Sequence, residues 1–167
     1  DIDDVLHLGR LLAADRGGRP AAILGTSYGA FLALLAAAAE PGGWTRCAVL
    51  APFLSAERLY AGAAAPVRAM IDRLKGRDPI ADDLGPRDLD VLADRVAVPV
   101  FCAHGARDDV IPAAHSRRLV ERLLGSGRLR AADVRYREPA DAGHDPLGGS
   151  GGPALTGELV AFLKESA

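Results

Sequence analysis

Residues 21–30 read Ala-Ala-Ile-Leu-Gly-Thr-Ser-Tyr-Gly-Ala. The short apolar run Ala21–Leu24 has the pattern of a buried strand. Ala30–Ala39 is apolar and rich in strong helix formers, the pattern of a buried helix. A strand that enters a helix through Gly-x-Ser-x-Gly turns sharply, with the serine at the apex. Glycines at its two outer positions, Gly25 and Gly29, relieve the collisions that side chains there would make. The Ser27 hydroxyl then projects from the carboxyl end of the strand, near the positive end of the next helix. A second match, Gly148-Gly149-Ser150-Gly151-Gly152, has no strand before it and reads as a flexible loop. Context therefore selects Ser27 over Ser150.

Outward from this turn the chain alternates helix and strand. Residues 2–14 place Ile2, Val5, Leu6, Leu12 and Ala13 near one helical face, with Asp1, Asp3 and Asp4 in the first turn and His7 as a packed or half-exposed residue. Cys47–Ala51 reads as a second buried strand closed by Pro52, with Trp44 as packing just before it. Residues 53–95 are irregular. Leu59, Val67, Met70, Ile71 and Leu74 have helical spacing, Gly76, Pro79, Gly85 and Pro86 break the chain, and Leu89, Val91 and Leu92 suggest a short helix. This stretch follows the carboxyl end of a strand, where ligands bind in open α/β sheets, so Phe53 and Tyr60 are candidates either to line a pocket or simply to anchor the segment. Val96–Ala103 predicts a third strand, and Pro112 opens a helix turning Leu119, Val120, Leu123 and Leu124 to the sheet. Val134–Glu138 predicts a fourth strand, and Leu155, Leu159, Val160 and Leu163 a final helix. The order predicts an α/β fold with a parallel sheet and right-handed crossovers in one domain.

Composition narrows the function. The 167 residues suffice for one core, 49% are hydrophobic, and the net charge is −2 with only Lys75 and Lys164 as lysines. No basic cluster suggests nucleic acid, and the Ala30–Ala39 run is too short to span a bilayer. Cys47 and Cys102 sit in strand-like runs and read as buried free thiols. No His/Cys/Asp spacing matches a metal site, and no cofactor is expected. There is no initiator Met, signal or targeting pattern. The cytoplasm is the favoured compartment, but the chain reads as a piece of a longer one, which leaves the compartment open.

A parallel sheet puts all strand carboxyl ends on one edge. Ser27, Asp108 or Asp109, and His144 follow the first, third and fourth strands, 81 and 36 residues apart for Ser27, Asp108 and His144. A hydroxyl becomes nucleophilic when an imidazole takes its proton, and a carboxylate holds the imidazole in the required tautomer. The order Ser, Asp, His is the one expected for this turn. His104, before Gly105, is expected to pack or hydrogen-bond within its loop, His115 to lie on the surface, and Asp141 and Asp145 to be solvated.

Gly-Thr-Ser-Tyr-Gly, then His104-Gly-x-x-Asp-x-x-Ile-Pro, then Gly143-His144 resemble the C-terminal part of an α/β-hydrolase, closest to the prolyl-oligopeptidase-like serine peptidases and their esterase relatives. The resemblance covers nearly the whole chain. It implies a three-layer sandwich with four strands of the sheet here and further N-terminal strands missing, so that residues 1–167 are the C-terminal part of a catalytic domain and 53–95 an insertion near its site. It implies Ser27 as nucleophile, Asp108 as acid, His144 as base and the Tyr28 backbone N–H as one oxyanion donor. The implied reaction is cleavage of a small peptide or ester through an acyl-enzyme. The loop that gives the second oxyanion donor is absent from this stretch, so a preceding segment or partner chain is expected to complete the sheet. A non-catalytic hydrolase-like module, or an acyltransferase or thioesterase with the same triad, are the alternatives.

Overall fold

The apolar runs pair in chain order. The computed structural model describes residues 2–63, 65–74 and 89–165. In sequence they form α1 (Ile2–Asp15), β1 (Ala21–Thr26), α2 (Tyr28–Ala39), β2 (Trp44–Leu50), α3 (Ala56–Gly62), α4 (Ala65–Leu74) and α5 (Leu89–Leu92). A 3-10 turn (Ala93–Arg95), β3 (Val100–Ala103), α6 (Ala114–Gly125), a second 3-10 turn (Ala131–Asp133), β4 (Val134–Arg137) and α7 (Gly152–Lys164) follow. The strand order is β1-β2-β3-β4 and every pair is parallel. The breaks expected at Gly76, Pro79, Gly85 and Pro86 lie outside the described residues, as do the side chains of Met70, Ile71, Leu74 and Val91.

Side-chain alternation along the strands divides the core into two. Cys47, Val49, Val100 and Cys102 point to one face, against α2 and against Leu119 and Leu123 of α6. Ala48, Leu50, Phe101 and Ala103 point to the other, where Leu155, Leu159 and Phe162 of α7 cover them. The result is a three-layer helix–sheet–helix sandwich. α2 is apolar all round, and eight of its residues are buried, as expected for a helix packed on more than one side.

Several details differ from the sequence reading. In α1 the Gly9 backbone lies against the Trp44 ring, which fixes the inward face. Ile2, Val5 and Leu6 pack on the core, but Leu12 is 51% exposed, and His7 is exposed. β2 starts three residues earlier than its apolar run, because Trp44 pairs with Ala21. β3 starts at Val100 rather than Val96, because the 3-10 turn ends with the Val96 N–H bonded back to Ala93. Leu124 and Val160 face outward; on α7, Phe162 occupies the buried position instead. His115 is half-buried rather than on the surface, and its Nδ1 accepts the Leu54 N–H at 3.3 Å.

The two glycines of the serine turn are also unequal. A Cβ at Gly25 would sit 2.1 Å from the Gly29 carbonyl oxygen, whereas a Cβ at Gly29 would meet nothing within 4 Å. Gly25 is required by the close approach of strand end and helix start; Gly29 is an ordinary residue of the first helical turn. Gly25→Ala should therefore cost at least about 2 kcal/mol through backbone displacement, while Gly29→Ala should be neutral or stabilising by up to about 1 kcal/mol. Urea denaturation of the two variants checks this, and equal losses would contradict it.

Candidate active site

Ser27 sits between β1 and α2 with φ 53° and ψ −118°. A non-glycine residue with this backbone costs of order 1–3 kcal/mol and persists only where its surroundings hold it. Here its N–H donates to the Leu50 carbonyl at 2.8 Å, and its own carbonyl accepts from Ala30 and Phe31 at 3.0 and 3.2 Å. The turn is thus locked between the neighbouring strand and the helix it starts. The Tyr28 N–H belongs to the first residue of α2, at the positive end of that helix.

The Asp108 loop leaves β3 and the His144 loop leaves β4, and the two are joined by backbone hydrogen bonds. His104, Ala106 and Arg107 donate to Arg137, Pro139 and Ala142, each at 3.0 Å. Gly105 permits the contact: a Cβ there would lie 2.0 Å from the Gly143 oxygen. Beyond this junction Arg117 of α6 clamps Glu138 with two bonds and Tyr136 donates to the same carboxylate, which holds Glu138 down at about 2.

These constraints bring three distant side chains into line. His144 Nε2 is 3.1 Å from Ser27 Oγ, and His144 Nδ1 is 2.9 Å from Asp108 Oδ2. A carboxylate only accepts, so Nδ1 carries the proton and Nε2 is free to accept from the hydroxyl. The Asp108 side chain is fully buried, while that of His144 is 33% exposed. Asp108 Oδ1 accepts the N–H groups of Val110 and Ile111, both at 2.8 Å. Asp109 is exposed, as are Asp141 and Asp145, whose carboxylates accept the Ser150 and Leu147 N–H groups. Ser150 itself lies in the loop before α7.

His104 takes a larger part than a loop-packing role. It is wholly buried, with Nε2 3.0 Å from Asp108 Oδ2 and 2.8 Å from the Ile111 carbonyl, and Nδ1 2.7 Å from Ser116 Oγ. The sequence signal was His104, paired with Gly105 and four residues before Asp108. Phe53 is stacked on Phe31 in the core with centroids 4.7 Å apart, and the Tyr60 hydroxyl donates to Asp72. Both aromatic side chains are thereby anchored within the protein. Burial pushes the Cys47 and Cys102 thiols up to about 12, so neither supplies a thiolate near neutral pH. Among the described residues no group of three or more His, Cys, Asp or Glu could hold a metal ion, and no helix is long and apolar enough to cross a membrane.

The prolyl oligopeptidase family matches residues 2–167. The chain belongs to that family. Comparison with curated proteins gave no match. Among solved structures, a monoacylglycerol lipase from Paleococcus ferrophilus is similar at 18% identity and a TM-score of 0.68, over 97% of this chain and 74% of the lipase. A puromycin hydrolase is similar at 22% identity and a TM-score of 0.74, over 97% of this chain and 24% of that one. The acylaminoacyl peptidase of Pyrococcus horikoshii follows at 16% and 0.69, over 98% of this chain and 26% of that one. The chain thus spans only about a quarter of these two enzymes, and at such identities the likeness establishes the fold, that of the α/β-hydrolases.

Burial pushes the His104 pKa below the ordinary histidine value. Unfolding lets this ring take up a proton near pH ~6.5 that the folded protein refuses, so its contribution is complete above that pH and declines below it. The carboxylates Glu138 and Asp133, held at about 2, act only at lower pH. The unfolding free energy from urea denaturation should fall between about pH 6.5 and about pH 5.5, by up to ~1.4 kcal/mol per pH unit for the His104 proton. A stability flat across that span would contradict it, and His104→Gln should reduce the slope, leaving the part that His115, also held below its ordinary value by burial, contributes.

Proposed function

We propose that this chain carries the catalytic machinery of a serine hydrolase that cleaves an ester or peptide bond. The observation that carries the reading is the unbroken hydrogen-bond chain from Ser27 through His144 to Asp108. Ser27 Oγ attacks the substrate carbonyl while His144 Nε2 takes its proton. The Asp108 carboxylate stabilises the imidazolium that forms and keeps Nδ1–H directed at itself. The negative charge on the former carbonyl oxygen falls to the Tyr28 N–H, at the positive end of α2. Collapse expels the alcohol or amine, which takes the proton from Nε2 and leaves Ser27 acylated. Water, deprotonated by the same nitrogen, then releases the acid and restores the hydroxyl.

One donor is half of an oxyanion hole, and the second is worth about 10²–10³ in rate. We assign it to a further polypeptide segment that pairs with β1. Two features support this. β1 is an edge strand among the described residues, and Leu24 on it is 51% exposed on the sheet face that α7 leaves open. The substrate is a small peptide or ester.

Ser27→Ala in the intact protein should abolish labelling by a fluorophosphonate probe and lower hydrolysis of p-nitrophenyl butyrate by about 10⁴-fold or more. Adding His144→Ala should cost little further, because the residues act as one unit. Unchanged labelling and hydrolysis in Ser27→Ala would overturn the reading.

A further inference from the structure

Three hydrogen-bond donors and one close imidazole nitrogen meet the buried Asp108 carboxylate. Val110 N–H and Ile111 N–H reach Oδ1; His144 Nδ1–H and His104 Nε2 reach Oδ2. A carboxylate offers about four acceptor sites; three are taken by hydrogen bonds and His104 Nε2 stands 3.0 Å from the remaining side of Oδ2. The backbone pair fixes Oδ1 alone. His104 is the group other than His144 that holds Oδ2.

The protonation of the His104 ring follows from its neighbours. Nε2 faces two acceptors, the Asp108 carboxylate and the Ile111 carbonyl at 3.0 and 2.8 Å, so it bears a proton, hydrogen-bonded to the carbonyl and turned in part toward Oδ2. Nδ1 faces the Ser116 hydroxyl at 2.7 Å. Burial disfavours the doubly protonated ring, so Nδ1 is bare and Ser116 donates to it. Ser116 is itself fully buried on the inner side of α6. Sheet strand, Asp108 loop and helix thus all fix one imidazole in one tautomer.

We infer that His104, kept by Ser116 in its Nε2–H form, is a positioning residue that sets the direction of the Asp108 carboxylate toward His144. The inference rests on the triad reading above. A carboxylate held only through Oδ1 could rotate about that anchor and misdirect the bond that orients the base. A neutral donor on Oδ2 prevents this without adding charge, and it shares Oδ2 with the bond to the base. The other ionisable groups around the ring are His144, His115 and Glu138. Neutral His115 and paired Glu138 face it from α6 and from the end of β4.

A near-isosteric pair of substitutions tests this in the intact protein with p-nitrophenyl butyrate. His104→Gln places an amide N–H where Nε2 was and should keep kcat within about threefold of wild type. His104→Asn places its amide near Ser116 and leaves Oδ2 one donor short. It should lower kcat by about 10- to 100-fold, the worth of one hydrogen bond to a charged group, at unchanged KM. The acid limb of its kcat/KM profile should also move to higher pH, since a carboxylate with one donor fewer binds the imidazolium proton more strongly. A kcat for His104→Asn equal to wild type, or equal losses in both variants with no movement of the acid limb, would overturn the inference in favour of packing alone. Should His104→Asn fail to fold, Ser116→Ala decides. It should lower kcat severalfold at unchanged KM, and an unchanged kcat would overturn the inference. Ser27→Ala, run in parallel, separates this outcome from failure of the triad itself, since it reads the nucleophile independently of His104.

Discussion

One hydrogen-bond pattern repeats across the carboxyl edge of the sheet, and the site depends on it. The first residue beyond each of β1, β2 and β3 donates its N–H to the last residue of the next strand: Ser27 to Leu50, Ala51 to Ala103, and His104 to Arg137. Those acceptors are themselves in register with one another, Leu50 against Ala103 and Ala103 against Arg137. The ladder therefore extends one step past the strands before the chain turns away. Ser27 and Ala51 take left-handed backbone angles at that step, which redirects the chain abruptly while keeping the bond. The strain at Ser27 is held by a rung of the sheet and by the first bonds of α2.

From that rim the loops are short enough to be specified by contact. Gly25 lets the start of α2 approach β1, and Gly105 lets the Asp108 loop lie against the His144 loop. At each, a single methyl group would collide with a backbone oxygen. The polar groups brought together in this way are almost fully paired. Asp108 is enclosed and holds three hydrogen bonds, whereas His144 keeps a third of its side chain open to solvent and Ser27 is half-buried. Burial thus decreases from the enclosed carboxylate to the partly open imidazole and hydroxyl.

Ser27, Asp108 and His144 were legible in the sequence because each follows an apolar strand-like run and stands in a short, position-specific turn pattern. Parallel pairing then sends all three to one edge. Strand and helix existence was legible for the same reason, through runs such as Ala30–Ala39 and Cys47–Ala51. Boundaries were less so. Trp44, Thr45 and Arg46 lack the hydropathy of a buried strand and extend β2 only because β1 lies beside them. Helical faces were misread where a single close contact, such as Gly9 on Trp44, sets the rotation of the whole helix and turns Leu12 outward. The His115 and His104 side chains take their partners from residues 61 and 12 positions away or across a loop, which no local pattern records.

The order of chemistry along the chain, the parallel sheet and the apex position of Ser27 were set by the sequence, since local periodicity and turn geometry suffice to dictate them. The choice of Asp108 over Asp109 as the residue facing His144, the unequal need for Gly25 and Gly29, and the enlistment of His104 and Ser116 behind the carboxylate were decided only by tertiary structure. They depend on distances between segments that hydrophobic packing brings together, and on which polar atoms that packing leaves without water.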